Sequence, residues 1–331
     1  MNNLNSSRVC LTTFVYGPKY QCYLPFLLYS CHKAYPEYDV VLFLYDDLNP
    51  DIKKQIEKIG LTNKVVIREG CFNDCSKMTP LKSKSLRWIL WDDLFKNYDY
   101  LYTVDIDMFY LLEPMALHKQ HIQHMKFIGL PISNLRRHFV FNPYKPFTFA
   151  FRFKHAGFKG ILNFLIGEKE EYKLTGLHFV KIKDYFDKLN FEQRQKYRNQ
   201  IYKNNYFKYV KYPNAEIILG YIVKQLGFDL NKLGVQTDSV KMLDYNAPKR
   251  LEFRPHHGIH LGIFRRSLKE INKVESDVEI LNSPVYRYYI QKTKDEILPD
   301  NIFKELIKDA PDNVKFAFSQ LFKFYGINYV I

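Results

Sequence analysis

The first hundred residues alternate between short apolar runs and amphipathic stretches, and this alternation is the feature that most restricts the fold. The apolar runs have the length and composition of buried strands, and the stretches between them have helical periodicity. The predicted strands are Val9–Val15, Val40–Tyr45, Val65–Ile67 and Tyr100–Val104, and the predicted helices are Tyr23–Ser30, Asp51–Ile59 and Pro80–Phe95. Strands that alternate with helices form a mixed, mostly parallel sheet flanked by helices. The sequence therefore predicts an α/β fold.

The alternation weakens in the second part of the chain. We expect further strands at Lys126–Leu130 and Leu177–Ile182 and a helix at Glu216–Leu226. From residue 268 onward the chain is charged and helix-prone, with prolines that interrupt the helical pattern. The simplest division is one α/β domain over residues 1–267 and a helical C-terminal extension over residues 268–331.

The composition excludes several classes of protein. The chain has 331 residues, of which 47% are hydrophobic and 25% charged, as in ordinary globular proteins. Its apolar runs fall short of the roughly 18 residues that a membrane-spanning helix needs. The N-terminus is polar and lacks the apolar stretch of a secretory signal. The five cysteines are an odd number without paired C-x-x-C spacing, which favours reduced thiols. We therefore expect a cytoplasmic protein.

The net charge is strongly positive. Lysine and arginine number 49 against 35 aspartates and glutamates, which gives a formal charge of +14. Such a charge favours anionic partners but does not distinguish phosphates, nucleic acid and an acidic membrane surface.

Two acidic residues stand where the fourth predicted strand ends. Asp105 and Asp107 are separated by one residue, so on an extended backbone their carboxylates project to the same side. In α/β sheets, ligands bind beyond the carboxyl ends of the strands. Mg²⁺ and Mn²⁺ commonly use one or two protein carboxylates together with phosphate oxygens of a substrate. The pair therefore predicts a site for a divalent metal and a diphosphate.

The order of these elements resembles a nucleotide-sugar glycosyltransferase of the GT-A fold, similar to glycogenin-like and bacterial cell-surface polysaccharide transferases. Three segments carry the resemblance: Val9–Tyr16 as the first strand, Ser85–Leu90 as an arginine-bearing helix, and Tyr98–Asp107 as the strand that ends in a D-x-D motif. The similarity spans roughly residues 8–265. It implies a Rossmann-like sheet and a metal-dependent, hexosyltransferase-like activity.

The resemblance implies roles for residues in the first half of the chain. Asp107 would ligate Mn²⁺ or Mg²⁺ directly, and Asp105 would contact the metal or the ribose. Arg87 would face the phosphate or sugar of the donor. Thr13 and Tyr16 would line the pocket for the nucleoside base.

A histidine-rich segment, Arg254–Gly262, resembles the part of these enzymes that completes the metal site. The spacing differs from the usual form of the family, so the ligand is ambiguous between His257 and His260, of which we favour His260. Gly262 and Arg265 would meet the diphosphate, where negative charge develops during transfer.

Two further positions concern the junction of donor and acceptor. Gly176 resembles a residue that allows close approach of the backbone at this junction. Glu216, at the start of a predicted helix, resembles the acidic residue that binds the acceptor hydroxyl. In an inverting enzyme Glu216 would take the proton of that hydroxyl, whereas in a retaining enzyme it would only orient the acceptor.

The implied partners are a nucleotide-diphosphate sugar, with UDP favoured, and a saccharide or lipid-linked acceptor, as in the synthesis of surface polysaccharide or glycolipid. Nucleic acid is not expected. The segment Val314–Tyr325 mixes lysines with aromatic residues, so it could lie peripherally on the inner face of the membrane. Packing onto the domain is the alternative.

Two other functions remain open at this point. A phosphohydrolase of the haloacid-dehalogenase type would use Asp105 as nucleophile and Asp107 as acid. Such enzymes resemble the pattern D-x-D-x-T, and in this chain Phe109 occupies the position of the threonine. A basic protein that binds nucleic acid or membrane would depend on the total charge and on the lysine- and tyrosine-rich stretch Lys196–Tyr212.

Overall fold

The computed structural model describes residues 7–137, 172–203, 214–236 and 257–329, and a mixed β-sheet forms its centre. The strands are β1 Val9–Val15, β2 Asp39–Leu44, β3 Val65–Arg68, β4 Tyr100–Thr103, β5 Met108–Phe109, β6 Ile132–Ser133, β7 Arg136–Arg137, β8 Lys173–Leu174, β9 His178–Lys181, β10 Val235–Gln236 and β11 Ile259–His260. Six of them form the main sheet in the order β3-β2-β1-β4-β9-β6. Strands β3, β2, β1 and β4 are parallel, and β9 is antiparallel to β4 and β6. The predicted α/β class with a mostly parallel sheet is confirmed.

Helices cover both faces of this sheet. They are α1 Pro18–Gln21, α2 Leu24–Ala34, α3 Pro50–Lys58, α4 Pro80–Leu86, α5 Leu117–Ile128, α6 Ile182–Phe186, α7 Phe191–Tyr202, α8 Ala215–Gln225, α9 Leu268–Ile271, α10 Glu275–Leu281, α11 Pro284–Lys292, α12 Asn301–Lys308 and α13 Asp312–Phe324. Strand β1 shows why two layers are needed. Leu11 and Val15 belong to one hydrophobic core, and Cys10 and Phe14 belong to the other. Alternate side chains thus point to opposite faces, and each face is buried.

The C-terminal helices share the first of these cores. Phe303 of α12 and Phe318 of α13 pack with Phe26 of α2, with ring centroids 5.2 to 6.4 Å apart. Most apolar side chains of α13 are buried, and Phe316 is its exposed large hydrophobic residue. The domain boundary at residue 267 stays a prediction.

The strand order places a crevice beside the predicted site. Strands β2 and β3 lie on one side of β1, whereas β4 lies on the other side. In open parallel sheets, ligands bind at such a reversal, beyond the carboxyl ends of the strands. The hydroxyl of Thr13 in β1 donates to the carbonyl of Val104, 2.8 Å away, and joins these two strand ends.

The predicted helix Pro80–Phe95 is wrong in its length. Helix α4 ends at Leu86 and continues as a short 3₁₀ turn, after which Leu90 has extended backbone angles. The indole N–H of Trp88 donates to the carbonyl of Ala215, 2.9 Å away. The tertiary contact of this buried side chain therefore replaces the helical continuation that local periodicity suggests.

The predicted strand Lys126–Leu130 is also wrong. Most of it is the end of helix α5, which stops because Gly129 adopts a left-handed conformation with φ of 65°. The strand of this region is β6, which begins two residues after Leu130.

A buried histidine in α5 should make the stability depend on pH. His118 is 7% exposed, and its Nδ1 lies 2.8 Å from the hydroxyl of Tyr38. Burial, with a smaller contribution from the charge of Lys119, lowers the pKa of His118 from 6.5 to about 4. In the unfolded chain, the imidazole of His118 takes up a proton near pH 6.5. The free energy of unfolding should therefore be highest above pH 6.5, where this imidazole is neutral in both states. It should fall between pH 6.5 and 4, by about 3 kcal/mol at most. Urea unfolding of the protein and of His118→Gln across this range measures the effect, and an equally steep decline in both would contradict it.

Candidate functional site

The predicted site residues gather around one cavity at the carboxyl ends of β1 and β4. Its volume is about 570 Å³. The predicted residues that line it are Thr13, Tyr16, Arg87, Asp105, Asp107, Glu216, His260 and Arg265. They come from four distant parts of the chain, so the fold brings together what the sequence separates.

Asp105 forms an ion pair with Arg87 at the cavity wall. The Arg87 guanidinium donates to Oδ1 of Asp105 and lies 4.1 Å from the ring centroid of Trp88. Arg87 is 7% exposed, whereas the carboxylate of Asp105 is 30% exposed and faces the cavity. Arg87 follows directly after helix α4 and therefore faces the site rather than solvent.

Gly176 stands beside this ion pair. A Cβ atom at this position would lie 3.1 Å from both Nη2 of Arg87 and Oδ2 of Asp105, and 3.6 Å from Oε1 of Glu216. The missing side chain thus allows the backbone to approach the two carboxylates closely.

Asp107 is buried between the side chains of His260 and Arg265. Its Oδ2 accepts a hydrogen bond of 2.6 Å from Nη2 of Arg265, and its Oδ1 lies 3.3 Å from Nε2 of His260. Burial alone would raise the pKa of Asp107, but the charges of His260 and Arg265 outweigh it and hold this pKa well below its usual value. Burial lowers the pKa of His260, but Asp107 reverses this effect and raises it. The carboxylate is therefore ionised at neutral pH.

Pairing of strands β5 and β11 carries His260 to this position. The strands are antiparallel, with His260 opposite Met108, and the Leu261 N–H donates to the carbonyl of Asp107 at 2.9 Å. Gly258 allows this pairing, because a Cβ there would lie 2.6 Å from the carbonyl oxygen of Phe109 and its φ is 123°.

His257 has a different environment. Its Nδ1 lies 3.0 Å from Oε1 of the buried Glu113, which also accepts a hydrogen bond of 2.9 Å from the hydroxyl of Tyr289. His257 does not line the cavity. Of the two histidines that the sequence left open, the structure brings His260 to Asp107, and His257 anchors the segment. His256 lies outside the described residues.

The absence of a side chain at position 262 allows Asp107 and His260 to lie close to the backbone of Gly262. A Cβ there would lie 2.5 Å from Oδ2 of Asp107 and 2.8 Å from Nε2 of His260. A carboxylate oxygen and an imidazole nitrogen are ligands that Mn²⁺ accepts. Within the ranges that the structure describes, no three His, Cys, Asp or Glu side chains are grouped closely enough to hold a metal ion. Asp107 and His260 offer two such donor atoms side by side.

Glu216 lines the same cavity and contacts two cations that sequence reasoning missed. Its Oε1 is 3.2 Å from Nη1 of Arg137, and its Oε2 is 3.3 Å from Nζ of Lys173. The side chain of Asn214 caps α8 by accepting from the Glu216 N–H, which sets where this helix starts. The Arg136-Arg137 doublet was the only local signal for the first cation.

Thr13 and Tyr16 lie at the exit of β1. Thr13 is buried and bonded to the neighbouring strand, as described above. The ring of Tyr16 packs edge-on against Tyr45, with centroids 5.3 Å apart, and borders the cavity.

The phosphohydrolase alternative finds no support at position 109. Phe109 is a core residue, 1% exposed, and packs against Phe318 with centroids 5.7 Å apart. It offers no hydroxyl group where such an enzyme uses threonine. Of the basic stretch Lys196–Tyr212, the residues up to 203 are described, and they belong to α7 and its end.

No family model and no curated protein matches this chain. Solved structures that are similar include core-mannan synthase A of Aspergillus fumigatus in its Mn/GDP form, at 12% identity over 69% of this chain and 72% of that chain, with a TM-score of 0.40. The galactosyltransferase LgtC in complex with donor and acceptor sugar analogues is similar over 85% of this chain and 99% of its own, at 11% identity and a TM-score of 0.44. The glycosyltransferase GlyE of Streptococcus pneumoniae is similar over 98% of this chain and 65% of its own, at 9% identity and a TM-score of 0.41. At these identities and TM-scores, the similarities carry no conclusion about what this chain does.

None of the helices in the described part of the chain is long and apolar enough to cross a membrane.

Proposed function

We propose that this protein is a metal-dependent glycosyltransferase that moves a sugar from a nucleotide-diphosphate sugar to a hydroxyl acceptor. One observation carries the proposal: Asp107, His260 and Arg265 meet at the carboxyl end of β4, in a cavity that also contains Glu216. This combination offers metal ligands, cations for a diphosphate and a separate carboxylate for a hydroxyl.

The donor would lie between β1 and the cluster formed by Asp107, His260 and Arg265, which we call the Asp107 cluster. Thr13 and Tyr16 would border the nucleoside base, and Asp105 would accept from the ribose or contact the metal. Asp107 and His260 would hold Mn²⁺ or Mg²⁺, which supplies Lewis-acid stabilisation of the leaving diphosphate when bound.

The protein's own cations support departure of the nucleoside diphosphate. Arg265 lies next to Asp107, and Lys84 and Arg87 line the same cavity. Negative charge develops on the diphosphate oxygen as the glycosidic bond breaks, and fixed positive groups stabilise it without reorganisation. Gly262 would let Asp107 and His260 approach the backbone beside the diphosphate, and Gly176 would let Arg87 and Asp105 approach it beside the sugar.

Glu216 is the residue that we assign to the acceptor. Its carboxylate is 19% exposed and lines the cavity. As a general base it would accept the proton of the attacking hydroxyl if the configuration is inverted.

We expect Glu216→Gln to lower kcat for transfer by about a hundredfold, because general-base catalysis contributes about 10²- to 10⁴-fold. Donor binding should be unchanged, since Glu216 does not contact the Asp107 cluster. Glu192→Gln, at the exposed first turn of α7, is the matched control and should transfer normally. A near-normal kcat in Glu216→Gln would assign the residue to orientation of the acceptor only.

Thermal unfolding in the presence of nucleotides tests the proposed function. Nucleoside diphosphates of each base are compared with and without Mn²⁺ or Mg²⁺. A ligand at a hundredfold excess over its Kd adds about 2.7 kcal/mol of stability, which raises Tm by several degrees. We expect such a rise when nucleotide and metal are present together. The base that gives it identifies the donor, for which UDP is our expectation, and no rise with any pair would refute the proposal.

The cellular setting is part of the proposal. Synthesis of surface polysaccharide or glycolipid in the cytoplasm would suit a hydroxyl acceptor attached to sugar or lipid. In α13 the exposed Phe316 and Lys323 remain available for a peripheral membrane contact, while the buried side of the helix belongs to the core.

A further inference from the structure

The strand pair that carries His260 is very short. Strands β5 and β11 have two residues each, and His260 lies opposite Met108. A two-stranded ladder is only marginally stable by itself, and a slip by one residue turns every side chain to the other face. Such a slip would carry the imidazole of His260 away from Asp107. The position of His260 therefore depends on contacts outside this ladder.

One such contact joins the ends of the two strands that lie away from the cavity. His257 precedes β11 and Glu113 follows β5, and Nδ1 of His257 lies 3.0 and 3.1 Å from the two carboxylate oxygens of Glu113. Both side chains are almost completely buried, at 0% and 1% exposure. At the other end, the Leu261 N–H donates to the carbonyl of Asp107. The strand pair is thus fixed at both ends.

The backbone of His257 indicates that the contact with Glu113 holds it in place. His257 has a φ of 38°, in the left-handed region that residues other than glycine rarely adopt, and Gly258 follows with a φ of 123°. Such strain persists only where surrounding contacts determine the conformation. A shift of this segment would also leave a buried carboxylate without one of its partners, which is unfavourable. Glu113 therefore favours the register in which His260 meets Asp107.

Helix α11 supports the same segment from the other side. The hydroxyl of Tyr289 donates to Oε1 of Glu113 at 2.9 Å, and the hydroxyl of Tyr286 accepts from the His260 N–H at 3.4 Å. The two tyrosines are three positions apart, so they lie on one face of the helix. Among the described residues that line the cavity, none belongs to α11 and none is Glu113. These groups therefore act on the site through the segment 257–260.

We propose that Glu113 is a positioning residue for the metal site. Through His257 it sets the register of β11 and so holds Nε2 of His260 beside Asp107, while Tyr289 keeps the carboxylate of Glu113 in place. Helix α11 thus takes part in metal binding without a residue in the cavity. The inference rests on the proposed transferase function, since it concerns the metal ligand of the same site.

Isothermal titration calorimetry on the full-length enzyme tests this inference. The nucleoside diphosphate that the thermal screen selects is titrated with Mn²⁺ and without metal. The Kd without metal divided by the Kd with Mn²⁺ is the metal enhancement. We expect Glu113→Gln to lower this enhancement about tenfold, because loss of an outer partner of a metal ligand costs about 10- to 100-fold in metal affinity. Glutamine keeps the size of the side chain but has one acceptor oxygen in place of two.

Asp39→Asn is the matched control. Asp39 also accepts a hydrogen bond from a buried tyrosine, the hydroxyl of Tyr98 at 2.7 Å, but it lies at the start of β2, away from the cavity. We expect it to keep the metal enhancement of the wild type. If Glu113→Gln does not fold, Tyr289→Phe is compared with Tyr98→Phe. Each of these removes one hydroxyl group, and a severalfold fall is expected in Tyr289→Phe alone.

The outcomes separate a positioning role from a role in stability. A role in stability alone would lower Tm and leave the metal enhancement unchanged. An enhancement in Glu113→Gln equal to that of the wild type, or an equal fall in Asp39→Asn, would overturn the inference and leave the proposed function standing. Failure of the proposed function looks different, because the wild type itself would then bind the nucleotide no more tightly with Mn²⁺, which would refute both.

Discussion

Asp107→Asn should reduce glycosyl transfer about a thousandfold or more while the fold remains intact. The substitution removes the negative charge that His260 and Arg265 face and that a divalent cation would need, so the leaving diphosphate loses its stabilisation. The side chain keeps its size, and Arg265 retains its hydrogen bond to the hydroxyl of Tyr23, 3.1 Å away. Initial rates with Mn²⁺, together with circular dichroism, measure both parts of the prediction.

Asp99→Asn is the matched control for this experiment. Asp99 precedes strand β4 at its opposite end, where its carboxylate accepts from the N–H of Arg8 at 2.9 Å. This variant removes the same charge from the same strand far from the cavity, so it should transfer at the normal rate. Metal-dependent transfer at a near-normal rate by Asp107→Asn would contradict the assignment of Asp107 as a metal ligand.

Gly262→Ala should impair transfer about as severely as Asp107→Asn. The new methyl group would come within 2.8 Å of both Oδ2 of Asp107 and Nε2 of His260, so one or both groups must move. This movement would separate the two donor atoms to which we assign the metal. The backbone of Gly262 does not need a positive φ, so alanine fits the local conformation and the stability should change little.

Gly176→Ala provides the graded comparison. A methyl group there meets Arg87 and Asp105 at 3.1 Å, a separation that small shifts relieve. We therefore expect a loss of roughly tenfold or less, which corresponds to at most about 1.4 kcal/mol. Titration of Mn²⁺ in the presence of nucleotide separates the two sites, because metal affinity should fall in Gly262→Ala and persist in Gly176→Ala. Equal metal affinity in Gly262→Ala and the wild type would place the metal elsewhere.

Several features of the fold followed from short-range patterns alone. The apolar runs that form β1, β2 and β4 are buried at nearly every position, and no partner needs to be known to predict such a strand. The same holds for Asp105 and Asp107, since their position after β4 follows from the strand that precedes them. Helix lengths were less predictable, because contacts such as that of Trp88 with Ala215 override local preference.

The sequence favoured His260 over His257 but could not exclude either residue. Both residues lie about 150 positions from Asp107, and their local patterns are equivalent for metal binding. Pairing of β11 with β5 places His260 beside Asp107, whereas His257 contacts the buried Glu113.

Local sequence therefore determined the α/β class and the position of Asp105 and Asp107 after β4. Both follow from the spacing of hydrophobic residues within one segment, which does not depend on distant parts of the chain. Tertiary structure alone decided which distant groups meet these acids: His260 and Arg265 at Asp107, Arg87 at Asp105, and the pair Arg137 and Lys173 at Glu216. The physical reason is that these contacts depend on strand register and chain crossing between segments far apart in the chain, about which periodicity and spacing contain no information.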